Sequence, residues 1–189
     1  MNTPAHAVIN WLILGRGDRP ELAVPIVAGS LLPDLSMIVF YIYLKALGTQ
    51  ESVIWSVHYH QRQWQAFFDV FNSIHLILAG LAISWRLRAT RWAAFFAGMG
   101  LHVLFDLPLH HDDAHRHFFP FSDWRFFSPI SYWDPAHYGD IVSACEIVVV
   151  AVGSVVLWRR YESMCLRLMC AALALSYSLH WIYVFAVWA

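Results

Sequence analysis

Long apolar stretches separated by short polar turns dominate the chain of 189 residues. A run of about 20 mostly apolar residues is long enough to cross a bilayer as a helix. The longest runs cover 22–47, 66–85, 92–109, 139–158 and 169–188. A shorter run at 3–14 rises only about 18 Å, too little to cross, and we expect it to be half-inserted. The pattern predicts an all-α, polytopic membrane helix bundle of about four spanning helices plus this short N-terminal helix.

The polar turns are of two kinds, and they alternate along the chain. Those at 16–19, 86–91 and 159–167 carry arginines, whereas those at 48–65 and 110–138 are longer, and 110–138 is rich in histidine and aromatic residues. The positive-inside rule predicts that the arginine turns are cytoplasmic and that the two longer loops lie outside. We find no internal repeat and no second domain, so residues 1–189 are predicted to form a single integral-membrane domain.

Composition supports a membrane location. The chain is 59% hydrophobic and only 13% charged, about half the charged fraction of an ordinary soluble domain. The formal net charge is −1, which removes nucleic acid as an expected partner. The lipid bilayer is the partner that the composition predicts.

The candidate chemistry is concentrated between Gly98 and Asp123. On a helix, His102, Asp106 and His110 fall at i, i+4 and i+8 and therefore share one face. Imidazole and carboxylate groups are the ligands that zinc and similar divalent metals prefer. This stretch therefore predicts a metal site, with zinc as the first candidate.

Further polar residues interrupt the other apolar runs at a similar depth. At about 1.5 Å per residue, His6, Asp34, His75 and Glu146 lie between the membrane midplane and its outer side. Polar groups at such depths are expected to point into the bundle and towards one another. The alternative for Asp34 is a protonated carboxyl, or one bonded to Ser30. The predicted ligand set is His6, Asp34, His75, His102, Asp106 and His110.

Several segments of the chain resemble a known family. TPAH near the start, AGSLLPDL, and LHVLFDL followed by a polar PFS loop resemble the LexA-regulated, membrane-bound metal-dependent hydrolases. The resemblance covers roughly residues 3–125. His6, Asp34, His102 and Asp106 match the family's motifs, and His75 is the nearest counterpart of another family histidine. Ser36 stands where the family has a second carboxylate. The resemblance implies a helical fold, metal-dependent hydrolysis and a bacterial inner (plasma) membrane.

Together these observations predict a membrane-embedded hydrolase. A zinc-like ion would activate water against a phosphoester or lipid-linked substrate, with Asp113 or Glu146 as the general base.

Three alternatives remain. The chain could be a small helical subunit of a larger membrane complex that binds a metal or tetrapyrrole through its histidines, without hydrolysis. It could also be a metal permease, or a bundle whose outer histidines bind no ion.

Overall fold

The computed structural model of the protein describes residues 1–187 and is helical throughout its regular structure. The prediction of an all-α bundle is confirmed. We number the seven main helices in chain order. They are α1 (Thr3–Leu14), α2 (Ala23–Ala46), α3 (Arg62–Phe71), α4 (Ile74–Arg86), α5 (Thr90–Asp106), α6 (Gly139–Arg160) and α7 (Met164–Val187).

Within residues 1–187, four helical segments are long and apolar enough to cross a membrane. They are Pro20–Ala46, Arg62–Arg86, Gly139–Arg160 and Met164–Ala186. The first contains α2, the second joins α3 and α4, and the last two correspond to α6 and α7. The apolar run at 92–109 forms α5, which has only 17 residues. The predicted last span extended to Trp188, which lies outside the described residues.

The short helix α1 occupies the centre of the bundle. It contacts α2, α5, α6 and α7, and its core residues Ala5, Ala7, Val8 and Trp11 are completely buried. Its 12 residues are too few to cross a bilayer, in keeping with the predicted short N-terminal helix. Because other helices surround it, α1 can carry polar side chains that no lipid-facing helix would tolerate.

Helices α2 and α5 approach each other closely at two glycines. A Cβ atom on Gly29 would lie 1.9 Å from the carbonyl oxygen of Phe95, and one on Gly98 would lie 2.5 Å from that of Ile26. Small residues at a helix crossing allow two backbones to pack directly in a membrane. This contact fixes the depth of α5 relative to α2, and with it the relative height of Asp34 and His102.

The apolar run at 66–85 is divided between α3 and α4 at Asn72 and Ser73. The loop at 107–138, which we call the outer loop after the side on which the sequence predicts it, fills this break. The amide of Ile74 donates to the carbonyl of His117 at 2.9 Å, and the Ser73 hydroxyl donates to that of Phe119 at 2.7 Å. Backbone groups freed by a helix break need such partners inside a membrane protein.

A buried ion pair anchors the same part of the loop. Asp69 on α3 is fully buried, and it accepts hydrogen bonds from the backbone amide of Arg116 at 3.0 Å and from its guanidinium at 2.5 Å. The guanidinium also pairs with Asp123, 2.5 Å away. Removing one partner of a buried pair leaves an uncompensated charge, so this arrangement holds the loop firmly against α3.

Helix α5 ends at Asp106, three residues before the predicted end of the apolar run. Pro108 follows, and proline lacks the amide hydrogen that a continuing helix needs. His110 therefore lies outside the helix, although the sequence pattern placed it one turn beyond Asp106 on the same face.

The close crossing of α2 and α5 gives a prediction about stability. Gly29→Ala should lower the free energy of unfolding by about 1–3 kcal/mol, because the added methyl group has no space beside the Phe95 carbonyl. Thermal unfolding of the detergent-solubilised protein measures the effect. Gly100→Ala on α5 is the matched control, since its Cβ would meet Ile77 at an ordinary 3.6 Å. Equal melting temperatures for the two variants would contradict the tight crossing.

Candidate metal centre

The carboxylate of Asp106 lies at the centre of a group of histidines contributed by two helices and a loop. Asp106 is 2% exposed. Its Oδ1 lies 2.8 Å from His6 Nε2 and 3.3 Å from His110 Nε2, and its Oδ2 lies 3.0 Å from His102 Nε2. The three histidines thus all direct Nε2 towards one carboxylate.

The imidazole of His102 is held in one orientation by α2. Its Nδ1 lies 2.7 Å from the backbone carbonyl of Ser30, and because a carbonyl oxygen only accepts, Nδ1 carries the hydrogen. In the neutral ring Nε2 then carries a lone pair. This atom is buried and lies 3.0 Å from Asp106 Oδ2, but within residues 1–187 it makes no contact with hydrogen-bond geometry. An outer acceptor that fixes a histidine in this way is typical of metal ligands.

His6 on α1 lies parallel to His102. The two ring centroids are 3.7 Å apart with an angle of 18° between the planes, and both rings are completely buried. Two imidazolium ions stacked at this distance would repel each other strongly in a poorly solvated site. At least one ring is therefore neutral, the form in which histidine binds a metal.

Asn10, one turn after His6, ties α1 to the other two helices of the centre. Its side-chain amide donates to the Ser30 hydroxyl at 3.0 Å and to the backbone carbonyl of Gly98 at 3.1 Å. This contact positions His6 against α2 and α5.

Asp34 on α2 lies at the edge of the group. Its Oδ1 is 3.5 Å from His102 Nε2, and its side chain is 18% exposed. The Ser30 hydroxyl does not bond to Asp34, because it donates to the carbonyl of Ile26 at 2.8 Å. Asp34 and Asp106 thus place two carboxylates around the free nitrogen of His102.

His110 enters the group from the outer loop. Its Nδ1 lies 3.0 Å from Asp113 Oδ2, and its ring lies 5.1 Å from that of Tyr132. Burial favours the neutral ring, but the negative charges of Asp106 and Asp113 raise the pKa of His110 to about 9. Burial opposes ionisation of Asp113 too, yet His110 holds its pKa below the ordinary value. The Tyr132 phenol stays protonated, since burial and nearby carboxylates raise its pKa.

Glu146 on α6 has protein partners of its own. One oxygen accepts from the backbone amide of Asn2 at 3.1 Å, and the other accepts from the Asn2 side chain at 2.6 Å and the Tyr177 hydroxyl at 3.0 Å. The backbone nitrogen of Met1 lies 2.9 Å from Asp106 Oδ1. The N-terminal end of α1, the positive end of its dipole, therefore faces both carboxylates.

His75, the remaining predicted ligand, lies elsewhere. It is exposed at the start of α4, with its ring edge-to-face against Phe118 at 5.8 Å and Phe121 at 5.0 Å. No contact within residues 1–187 brings His75 to the Asp106 group.

The group fits a divalent metal ion. Three of its residues, His6, His102 and Asp106, each offer one ligand atom, and these three atoms lie within 4.8 Å of one another. All three residues are buried. Two histidine nitrogens and a carboxylate oxygen match the catalytic zinc pattern of three protein ligands with an open position. A cation between Asp34, Asp106 and the Nε2 atoms would also balance charges that are otherwise costly to bury.

Fold and site together define an all-helical membrane protein with a buried histidine–aspartate centre able to hold a metal. Comparison with protein-family models, with curated proteins and with solved structures found no match for this chain.

Two contacts near the centre, one that anchors the outer loop and one that holds Glu146, have no clear signal in the sequence. The Asp69–Arg116 pair joins residues 47 positions apart, and Arg116 looks like one polar loop residue among many. Tyr177 reaches Glu146 from a helix whose residues otherwise read as lipid-facing. A buried acidic residue within an apolar run, as at Asp69 and Glu146, was the only indication that a partner exists.

The position of Asp34 predicts the effect of a nearly isosteric change. Asp34→Asn should preserve the fold but weaken binding of added Zn²⁺ by about 10- to 100-fold, because it removes a negative charge beside His102. Titration of the purified protein with Zn²⁺ measures this. Asp112→Asn, an equal loss of charge on an exposed loop residue, is the control and should bind as the wild type does. Unchanged affinity in a well-folded Asp34→Asn protein would exclude Asp34 from the site.

Proposed function

We propose that this chain is a membrane-embedded metal-dependent hydrolase. The observation that carries the proposal is the buried convergence of His6, His102 and Asp106, in which a fixed histidine directs its free nitrogen between two carboxylates. Asp34 and His110 complete the proposed ligand set, and zinc is the proposed ion. His75 makes no contact with the group, so the proposal does not depend on it.

When bound, such an ion lowers the pKa of a coordinated water towards 7 and polarises a phosphoryl or acyl oxygen. The protein's own groups would hold and orient the reacting parts. The Ser30 carbonyl keeps the His102 ring in place, and the surrounding helices exclude bulk water. A hydrolase that works inside a membrane would suit phosphoester or lipid-linked substrates.

Asp113 is the better of the two candidate general bases. His110 holds the pKa of Asp113 below its ordinary value, so the carboxylate is ionised at neutral pH, and its Oδ2 lies 3.0 Å from Nδ1 of the proposed ligand His110. Its side chain is also 22% exposed, which leaves a path to solvent. Glu146 is 5% exposed and already accepts bonds from Asn2 and Tyr177, an arrangement better suited to fixing α1 than to proton transfer.

The family resemblance supports the same reading. The four residues that match the motifs of the membrane-bound metal-dependent hydrolases, His6, Asp34, His102 and Asp106, lie together although they come from three helices. Ser36, which replaces a second carboxylate, is buried and donates to the Pro33 carbonyl at 2.6 Å. We therefore propose a divergent active site with one aspartate at this position of α2 rather than two.

Metal content tests this proposal. Wild-type protein purified in detergent should contain about one zinc per chain and no pigment absorption. His102→Ala and Asp106→Ala should each weaken metal binding by more than about 100-fold, since losing even an outer partner of a ligand costs roughly 10- to 100-fold. His137→Ala is the control, because His137 pairs with Asp134 in the outer loop and should leave the metal in place.

The alternatives predict different results. A visible tetrapyrrole spectrum would indicate a pigment-binding subunit of a larger complex. Full metal occupancy in both central variants would exclude the Asp106 group as the binding site. Bound zinc without hydrolysis of a phospholipid or of a chromogenic phosphodiester would favour a metal-binding subunit that is not an enzyme.

We further propose that the protein lies in a bacterial inner membrane with its arginine turns in the cytoplasm. Cysteines placed at Ser52 and Thr90, both exposed, should then react oppositely with an impermeant thiol reagent applied to intact cells. The background replaces the three free native cysteines with serine. Labelling at Ser52 alone agrees with the proposed orientation, and labelling at Thr90 alone reverses it.

A further inference from the structure

The outer loop begins below the outer surface of the bundle. Helix α5 has 17 residues and α4 has 13, so they rise about 26 Å and 20 Å, whereas a bilayer core is about 30 Å thick. Asp34 and His102 are at the same height, and α5 ends one turn after His102. Helix α2 continues for 12 residues beyond Asp34 to Ala46. The loop therefore starts about 12 Å below the outer end of α2.

Part of the loop backbone is bonded within the protein, as a position at membrane depth favours. The amide of Ser128 donates to the carbonyl of His110, that of Tyr132 to Leu109, and that of Ser131 to His137, at 2.9–3.0 Å. The Ser128 hydroxyl donates to the Pro108 carbonyl at 2.6 Å. These bonds fold residues 107–138 back upon themselves at both ends of the loop.

The outer surface of this loop is aromatic. We use the name aromatic rim for its exposed side chains Phe118, Phe121, Trp124, Phe127, Trp133 and Tyr138, of which Phe121 is 78% exposed. Phe118 and Trp124 lie in contact, with ring centroids 5.6 Å apart, and exposed apolar side chains grouped on one loop indicate an interaction surface. Aromatic residues of this kind are enriched where a membrane protein meets the headgroup layer.

The charged side chains among residues 118–138 are engaged within the protein. Arg125 donates to the Ala114 carbonyl and to Gln65. Asp123 pairs with Arg116, and Asp134 accepts from the Ala136 amide and from His137. Asp123 is nevertheless 85% exposed beside Trp124, so the rim combines exposed aromatic rings with a few carboxylates at its edge, a mixture suited to the headgroup layer rather than to the acyl chains.

The aromatic rim is also continuous with surfaces that face lipid. Phe118 and Phe121 pack around His75 at the outer end of α4, next to the exposed Leu76 and Leu78 of the same helix. Tyr138 directly precedes α6, whose first turn exposes Ile141. The bilayer that covers the exposed sides of α4 and α6 would therefore also cover the adjoining rim.

We propose that residues 107–138 form part of the membrane domain, with the aromatic rim inserted among the phospholipid headgroups of the outer leaflet. The buried Asp69–Arg116 pair holds the rim in this position. Because His110 and Asp113 belong to the same loop, the candidate metal centre opens towards the headgroup layer rather than towards open water. The choice of the outer leaflet rests on the proposed orientation of the arginine turns, but the insertion does not depend on the proposed hydrolysis or on a bound metal.

Spin labels at two rim positions test the depth. Cysteine variants at Phe121 and Phe127, in the background without native cysteines, are labelled and placed in phosphatidylcholine–phosphatidylglycerol nanodiscs. Both rim labels should be reached by a water-soluble nickel chelate much less than a label in water is, and a label at Leu78, which would face the acyl chains, should collide almost only with oxygen. A label at Ser52, in the other outer loop, should show the reverse. Chelate accessibility at Phe121 and Phe127 equal to that at Ser52 would overturn the proposal.

A second measurement uses a native tryptophan of the rim, Trp124, and therefore needs no attached label. The tryptophan emission of the wild type minus that of Trp124→Phe gives the emission of Trp124. Quenching of this emission is measured in vesicles of lipid brominated near the headgroup and, separately, with iodide dissolved in the water. Quenching of this component by brominated lipid, with protection from iodide, is expected. Quenching by iodide alone would overturn the insertion. Zinc content measured on the same samples reports separately on the metal centre, so failure of one proposal does not resemble failure of the other.

Discussion

A carboxylate buried in an apolar helix bundle must be surrounded by positive charge or by hydrogen-bond donors, because an unpaired ion is very costly there. Asp106 is that carboxylate, and several parts of the structure surround it with such groups. A histidine from α1, one from α5 and one from the outer loop direct Nε2 towards it. Three separate parts of the chain are therefore held together at one point, and the same point is the candidate metal centre.

The packing of the helices makes this convergence possible. Glycines at the crossing of α2 and α5 bring the two backbones together, so the Ser30 carbonyl can reach the ring of His102 and Asp34 can approach its other nitrogen. Helix α1 must be central, because only a position surrounded by other helices allows His6 and Asn10 to be completely buried. The central position of α1 thus explains both why it is too short to cross the membrane and why it carries buried polar residues.

The outer loop is an extension of the helix bundle rather than a flexible connection. It fills the break between α3 and α4, pairs with Asp69 through Arg116, and supplies His110 and Asp113. A loop that contributes to a site must be held rigidly if the site is to keep its geometry. Its bonds to the helices provide this rigidity, and its aromatic side chains are left for the surrounding membrane.

The sequence by itself determined the helical class and the presence of a short apolar N-terminal helix, because apolar length and periodicity are local properties. It also identified His6, Asp34, His102 and Asp106, since polar groups in apolar runs must have a reason to be there. Only the tertiary structure decided which of these meet. In the structure, His75 packs against Phe118 and Phe121. Glu146 accepts hydrogen bonds from Asn2 and Tyr177, and Arg116 pairs with Asp69. These outcomes depend on helix rotation, on the end of α5 before Pro108 and on the path of the loop, all of which are set by contacts between distant residues.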